Sequence, residues 1–518
     1  MLTSLSKHAF YRVSKTVLWF LVLVGLPLTS FPILIRLTGA IVAPFSFIPL
    51  IILFVIWLLP FVLERGKFPA EIVPFLYFVL VAIVVSCLAF FLNGYYDLNR
   101  NFLGQSLRAF ITLAIGLSFY LVFTAYPRDK KGLRQVLLFL YIGAALLIAW
   151  GLLEVVLLRR YGSVRRLPSW FTQIRARMAV QSINVWFANR VSGFAYEPSW
   201  FVREFNLVLF PIWLAAIYLR KSLFKFRLWI FQVEDFLMVG GLIPFAFGSP
   251  RIGLLAFLAS LAYLALLIFG RVHGWLMEKI AHRRKTPLRH PGWTKFLLGV
   301  LLITVIAVAA GGALVGYVMA ASGWDTRYQL LLDSETISSL NLFPITEDSL
   351  IAFADKLEFS ERLVYWFGGW HIFSDYPFGV GLGNAGFYMI DRMNGQGMLS
   401  FEIRDLVYRA GYLPNTKSLW VRLLSETGFL GFALFLVWLI VLWRSTMLSR
   451  KSKSKVLQIV GLAGQLFLVA YLVEGFSMDS FAMPYQWLMA GLISAGGLLA
   501  RKELAAKDED GASPTVQA

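Results

Sequence analysis

Apolar runs long enough to cross a lipid bilayer recur from near the first residue almost to the last, and nothing else constrains the fold as strongly. With 58% hydrophobic residues, 46 Phe and 17 Trp among 518 positions and a mean hydropathy of +0.70, a soluble protein could not hide the apolar surface. The runs predict an all-α polytopic membrane protein of about 12 transmembrane helices. They are expected near 16–35, 37–63, 70–92, 107–125, 135–158, 199–219, 229–249, 251–270, 295–320, 424–443, 456–475 and 483–500. The first has no small-residue cleavage site behind it and is expected to be retained. The seventh starts among Gln232, Glu234 and Asp235, so it is expected to be short or partly interfacial. Residues 1–503 thus form one integral membrane domain, and the acidic, Pro/Ser-containing stretch 504–518 is expected to be a disordered cytoplasmic tail. The single cysteine, Cys87, rules out a disulfide framework or a Cys-based metal site. No His/Asp/Glu arrangement has metal-ligand spacing, so no metal and no cofactor are expected.

The net charge of +19 has to be divided by membrane side before it says anything about partners. Basic residues of the N-terminus (Lys7, Arg12, Lys15) and of 126–134, 220–228, 271–295 and 444–455 all fall on one side. The positive-inside rule makes that side cytoplasmic, places both termini there, and removes the need for a nucleic-acid partner; the bilayer is the partner. On the opposite side every basic residue except Lys356 and Lys417 is an arginine. Arginine binds phosphate with a planar, always-charged fork where lysine acts as a point charge, so that face suits phosphate recognition. The alternative is that these arginines snorkel at the interface. Two outer loops are long. Loop 159–198 carries Arg159, Arg160, Arg165, Arg166, Arg175, Arg177 and Arg190 with Trp170 and Trp186, and predicts an amphipathic segment on the outer leaflet. Loop 321–423 far exceeds an ordinary connection and is a functional candidate by length.

Within that second loop Leu363, Trp366, Phe367, Trp370 and Phe373 recur at helical spacing, giving a helix one aromatic face. Ser360 is its expected N-cap and Pro377 its end, which puts Arg362 in the first turn. A cation at the positive end of a helix is unhelpful unless an anion binds there. Alternatively the helix rests on the bundle with Arg362 paired to Glu361 or solvent. Gly379, Gly381, Gly383 and Gly386, with Asn384 among them, allow backbone N–H groups to approach a pyrophosphate. No strand precedes them and no Gly-Lys-Ser/Thr follows, so neither a Rossmann site nor a P-loop is supported.

Arg108, Arg203 and Arg251 lie about one turn inside the outer ends of spans. A charge at the centre of a span costs roughly 2.5–3.5 kcal/mol, less near an end, so such residues either face a cavity or snorkel. Arg203 and Arg251 adjoin two distinctive turns, Arg190 to Trp200 and Gly248 to Gly253. In the first, Glu197 is a carboxylate at an apolar boundary just before a helix. It is a candidate general base for a sugar hydroxyl, or else an acid that complements the helix dipole. Further on, Arg422 and Glu426 stand four apart on one helix face and can pair, with Lys417 just ahead of them.

In their order along the chain these stretches resemble the O-antigen ligase and O-antigen polymerase family of bacterial membrane glycosyltransferases. Four segments between residues 190 and 440 carry the resemblance. They are Gly193 to Ser199 with its Glu-Pro-Ser, Ser249-Pro250-Arg251, Arg362 through Trp366 to Pro377-Phe378-Gly379-Val380-Gly381, and Leu423 to Gly431. The resemblance implies a type C glycosyltransferase fold in the bacterial plasma membrane, with the active site on the extracytoplasmic face. It implies a donor glycan on undecaprenyl diphosphate, a glycan acceptor (a lipid-linked repeat unit or lipid A-core), a chain-length regulator as a further partner, and no bound metal. Arg251 and Arg362 would then compensate the pyrophosphate. Where ligases carry a histidine nine residues before the glutamate of the last segment, this chain has Lys417. A protonated lysine binds pyrophosphate but accepts no proton unless its pKa falls, which favours a polymerase with Glu197 as base.

The resulting expectation makes Glu197, Arg203, Arg251, Arg362 and Lys417 catalytic, with Arg108, Arg190, Trp366, Gly381, Gly383, Asn384 and Arg422 binding substrate. A ligase is the alternative. A lipid-linked oligosaccharide transporter is a third reading, against which stand the absence of repeated halves and the clustering of polar residues at the outer edge.

Overall fold

The computed structural model describes residues 9–511 except 65, 93–95, 98–99, 183–188, 249–250, 284–298, several positions within 302–313, 324, 335–343, 394, 396–399 and 410–412. Helix dominates the described residues, and the strands among them form two two-residue hairpins, Tyr96–Asp97 with Arg100–Asn101 and Arg227–Leu228 with Phe231–Gln232. The main helices are α1 (Ala9–Val24), α2 (Phe47–Leu63), α3 (Ala70–Leu92), α4 (Phe102–Ala125), α5 (Lys130–Tyr161), α6 (Ser169–Met178) and α7 (Pro198–Leu219). They continue with α8 (Val233–Gly248), α9 (Arg251–Arg283), α10 (Glu347–Lys356), α11 (Ser360–Asp375), α12 (Leu419–Lys451), α13 (Lys455–Glu474) and α14 (Pro484–Gly511). Seven of them (α3, α4, α5, α7, α9, α12 and α13) are long and apolar enough to cross a membrane. The fold is therefore that of an all-α membrane protein.

Depth in the bundle separates these helices. α7 and α13 are innermost, with 83% and 78% of their most apolar stretches buried, against 17% for α9. What α9 and α3 leave exposed is itself apolar, as lipid contact requires: Leu255, Leu266 and Ile268 on one, Leu76, Leu80 and Leu88 on the other. Some polar tips inside the bundle are satisfied in chains. The Trp438 Nε1–H donates to the Tyr120 hydroxyl at 3.2 Å, which lies 2.9 Å from Ser494 Oγ.

The expected spans survive unevenly. The first run is broken: α1 ends at Val24, and the chain turns through Pro27 into a short helix, Pro32–Thr38, while Phe31 and Phe45 N–H groups bond to Ala43 and Leu28 carbonyls. Prolines cannot continue the helical ladder, and the backbone is satisfied by this local pairing instead. α8 is short, as Glu234 suggested; the buried carboxylate accepts from the Tyr141 hydroxyl and the Leu223 N–H. The run at 295–320 lies partly outside the described residues; its positions 314–320 are helix. The stretch after 503, expected to be disordered, continues α14 as helix to Gly511. Its Glu503 carboxylate is anchored by Lys130 at 2.7 Å and by the Ser452 hydroxyl at 2.8 Å.

Among the described residues two helices contain a π turn, Phe54–Leu58 in α2 and Phe205–Leu209 in α7. Each ends two residues before a proline, Pro60 and Pro211. A proline lacks the N–H that the carbonyl four residues back needs and crowds it sterically; widening the preceding turn relieves both problems.

The position of α11 depends on glycines that its aromatic spacing concealed. Trp370, on the expected aromatic face, is exposed, whereas Val364, Tyr365, Gly368, Gly369 and Ile372 are buried. A Cβ on Gly369 would meet Val421 of α12 at 2.3 Å, so only a bare backbone allows this approach. After α11 the chain docks into a break in α12. Gly428 has φ 66° and ψ −173°, which stops the Phe429 N–H from reaching the Ser425 carbonyl. That N–H bonds instead to the Pro377 carbonyl at 3.0 Å, and the freed Ser425 and Glu426 carbonyls accept from the Val380 and Gly381 N–H groups at 3.0 and 2.9 Å. Because the Gly428 conformation is essentially restricted to glycine and a Cβ there would lie 2.4 Å from the Phe378 carbonyl carbon, Gly428→Ala is expected to destabilise the protein by about 1–3 kcal/mol or more. Thermal unfolding of the purified protein measures this, and an unchanged midpoint would contradict it.

An arginine-lined candidate active site

α7 and α9 begin, and α13 ends, at the same end of the bundle, where 321–423 folds over them. Between them lies a cavity of about 400 Å³. Four arginines (Arg190, Arg251, Arg327 and Arg362) and two carboxylates, Glu197 and Glu358, line it. The remaining wall is largely apolar, from Ile252, Leu255, Phe359 and Trp366.

The turn bearing Arg190 and Glu197 is held from below by a buried ion pair. Glu154 of α5 meets Arg175 of α6 at 3.0 Å, and its carboxylate also accepts from the Gly193 N–H at 2.8 Å. Arg175 and Gln181 both donate to the Ser192 hydroxyl. Gly193 itself has φ 56° with its Cα packed against Phe201, a conformation and a space that suit glycine. Arg175 is therefore internal scaffolding, and helix α6 turns Phe171 and Arg175 inward. Trp186 lies outside the described residues. The turn delivers Glu197, half-buried at the start of α7, where its carboxylate accepts from the Ser199 hydroxyl.

Arg203 sits one turn further in and does not line the cavity. It is buried, with Nε 3.3 Å from Glu474 Oε2 of α13 and Nη2 donating to the Ser477 carbonyl and hydroxyl at 2.9 and 3.2 Å. Asn206 Nδ2 donates to the other Glu474 oxygen at 2.7 Å. Arg203 thus positions Ser477, which does reach the cavity.

The cavity arginines differ in how far they are committed. Arg327 grips Asp325 with two nitrogens, Nε at 2.9 Å from Oδ1 and Nη2 on Oδ2. Burial pushes the Asp325 carboxyl up, but Arg327 more than offsets it and holds it below the usual carboxylate value. Arg251, the first residue of α9, donates through Nη1 to the Leu357 carbonyl, and its Nη2 stands 3.9 Å from the Glu358 carboxylate. Its Nε and Nη2 are buried and have no hydrogen-bond partner among the described residues. Ser249 and Pro250, which precede it, lie outside the described residues. Burial, then the neighbouring Arg327, lower the Arg190 pKa to about 10. Arg362, in the first turn of α11, makes no side-chain hydrogen bond or ion pair among the described residues. Burial lowers its pKa, Glu197 opposes this, and Arg203 adds to the lowering. Trp366, one turn on, has its ring 5.4 Å from Phe476 and a buried Nε1–H with no partner among the described residues.

The other expected site residues are elsewhere. Lys417 pairs with Glu402 at 2.6 Å over the Tyr365 ring, outside the cavity lining. Arg422 pairs with Glu426 at 2.9 Å, as their spacing allowed, and also donates to the Asp479 carbonyl. Gly381, Gly383 and Asn384 form no phosphate cradle here. The Gly383 N–H is taken by Glu426 at 2.8 Å, the Asn384 amide by Ser106 at 2.8 Å, and a Cβ on Gly383 would strike the Gln105 carbonyl. These glycines let the loop press against α3, α4 and α12. Arg108 is exposed on α4 and contributes nothing to the cavity lining. Arg327 and Glu358 are the additions; no local spacing sets them apart from the other charged residues of 321–423.

Chemically the cavity is a place for an anion larger than a single carboxylate. Guanidinium groups crowded in a poorly solvated space disfavour one another, and a polyanion relieves that. A carboxylate at one edge supplies a proton acceptor within the same space.

Two outcomes test the scaffold. Arg175→Met leaves Glu154 buried and unpaired, and is expected to cost about 3–5 kcal/mol, recovered when Glu154 is also made Gln. Unaltered thermal stability in the single variant would contradict the clamp. The second concerns His371 of α11, whose ring nitrogens lie 2.8 Å from Glu347 Oε1 and 3.1 Å from the Arg392 carbonyl. Burial lowers its pKa, but those two acceptors outweigh burial and hold it above 6.5. The stabilisation is thus full below pH 6.5 and lost as pH rises through the higher folded value. The stability difference between wild type and His371→Gln, followed by thermal unfolding from pH 6 to pH 9, should shrink with rising pH; a constant difference contradicts this.

Compared with known proteins, the chain matches no protein-family model and no curated protein.

Proposed function

We propose that this cavity holds the diphosphate of a lipid-linked glycan, and that the protein is a membrane glycosyltransferase. It would join undecaprenyl-diphosphate-linked repeat units into O-antigen or exopolysaccharide. The observation that carries the reading is the meeting of Arg190, Arg251, Arg327 and Arg362 with Glu197 in one cavity, with Arg362 making no ion pair among the described residues. Leu255 adds a second support. It lines the cavity and is also 55% exposed on α9, so the cavity borders a surface suited to hydrocarbon.

In this reading the acceptor sugar hydroxyl gives its proton to Glu197 as its oxygen attacks the donor's anomeric carbon. The bond from that carbon to the diphosphate oxygen breaks, and the bonding pair leaves with the diphosphate. The charge that develops there is met by the Arg362 and Arg251 forks, with Arg190 and Arg327 beside them. Arg203 acts from behind, by holding Ser477 and the end of α13. Lys417, which stands where ligases carry a histidine in the resembling segment, is tied to Glu402 outside the cavity lining. That favours polymerisation over ligation.

Arg362→Lys keeps the charge and loses the fork, and is expected to lower glycan extension about 10²-fold, with Glu197→Gln at least as severe. Purified variants given a lipid-diphosphate oligosaccharide would be compared for product length and for released lipid diphosphate. Wild-type chain length in Arg362→Lys at normal protein levels would overturn the proposal.

A further inference from the structure

The described charges of the cavity nearly cancel. Arg327 is neutralised by Asp325, Arg251 is faced by Glu358, and Glu197 is the strongest opposing charge acting on Arg362. A diphosphate entering this arrangement meets carboxylates already close to two of the guanidiniums, Asp325 on Arg327 and Glu358 by Arg251. Of these two, Glu358 is the more weakly held. Its carboxylate stands 3.9 Å from Arg251 Nη2, beyond hydrogen-bonding distance, and its side chain is 56% exposed.

The geometry around Arg251 is specific. Its Nη1 is anchored by the Leu357 carbonyl. The nitrogens left over, Nε and Nη2, form the edge of a guanidinium that takes two phosphate oxygens at once. Both are buried and lack an acceptor, an arrangement that persists only if something supplies one. Glu358 is close enough to screen this edge and too far to bond to it. Its backbone is left-handed, with φ 54°, in the three-residue connection between α10 and α11, and neighbouring bonds hold it there: the Glu358 N–H donates to the Asp355 carbonyl at 2.9 Å and the Phe359 N–H to the Ala354 carbonyl at 3.0 Å. Leu357 and Glu358 thus divide the work on one arginine, the first aiming it and the second covering it.

We propose that Glu358 is a resident counter-ion for Arg251, and that the diphosphate binds by displacing this carboxylate from the Nε/Nη2 edge while Leu357 keeps the fork aimed. This rests on the reading of the cavity as a lipid-diphosphate site. Glu358 is then a positioning residue: it keeps the empty fork oriented and electrically balanced, and it sets the affinity for the anion without touching the bond that breaks.

The test is the affinity of the purified, detergent-solubilised protein for farnesyl diphosphate, a short prenyl diphosphate, measured by calorimetry. Glu358→Gln keeps the shape and removes the charge, and should bind about three- to five-fold more tightly than wild type, the scale of an exposed ion pair. Glu358→Gly, which suits the left-handed backbone, should tighten binding likewise and guards against a misfolded first variant. Arg251→Gln should lose the binding and the effect of the second substitution together. Unchanged or weaker binding in both Glu358 variants, with Arg362→Gln still abolishing it, overturns the counter-ion while leaving the diphosphate site standing. Equal binding by wild type, Arg251→Gln and Arg362→Gln, or none by any, overturns the site itself.

Discussion

The exchange of backbone hydrogen bonds at Gly428 decides where the catalytic candidates can be. An unpaired peptide group away from water costs several kcal/mol, so a break in an apolar helix is tolerated only if every freed group finds a partner. Here the Ser425 and Glu426 carbonyls and the Phe429 N–H all find theirs on the stretch Pro377–Gly381. The loop and the helix are therefore specified together. Neither glycine at the crossing, Gly379 or Gly428, can gain a side chain without striking the other's backbone or its neighbour's. That stitch fixes the C-terminal end of α11, the contact of Gly369 with Val421 fixes its middle, and Arg362 is thereby set over the bundle end.

Arginines divide by what they already hold. Arg175, Arg203 and Arg422 have carboxylates and carbonyls around them and act as scaffold. Arg362 makes no side-chain hydrogen bond or ion pair among the described residues, and the Nε/Nη2 edge of Arg251 is buried with no hydrogen-bond partner among them. A guanidinium cannot escape such a site by losing its proton as a lysine can, so it keeps its demand for acceptors there.

Much of this was legible from the sequence, for a definite reason. Membrane-spanning length is one-dimensional, so the seven long apolar helices fall where the runs predict them. Glu197 just ahead of a helix and Arg251 at the start of another are also local features, and both lie at the cavity. What was hidden is partnership. The Gly379 to Gly386 stretch looks the same whether its N–H groups face a phosphate or Ser425, Glu426 and Ser86. Arg203 has the depth of a cavity arginine, but Glu474, which claims it, lies 271 residues away. Lys417 is separated from Glu402 by a stretch of no marked pattern. Arg327 and Glu358 carry no periodic signal, because Arg327 reaches the cavity from a four-residue helix, Thr326–Gln329, and Glu358 from a three-residue connection. Helical spacing also misled about α11: it counted aromatics and passed over the paired glycines that form the packed face.

The π turn of α7 has a consequence for how such a site can change over time. A π turn adds one residue to a helix without adding a rung, so what lies before it is rotated against what lies after it. In α7 the part before carries Glu197, Ser199 and Arg203, and the part after carries the fully enclosed Trp213 and Ala216. The two halves are phased separately, like two gears on one shaft joined by an adjustable coupling. Side chains at the cavity can be re-aimed by a single insertion or deletion near Phe205 while the packing of the other half keeps its register.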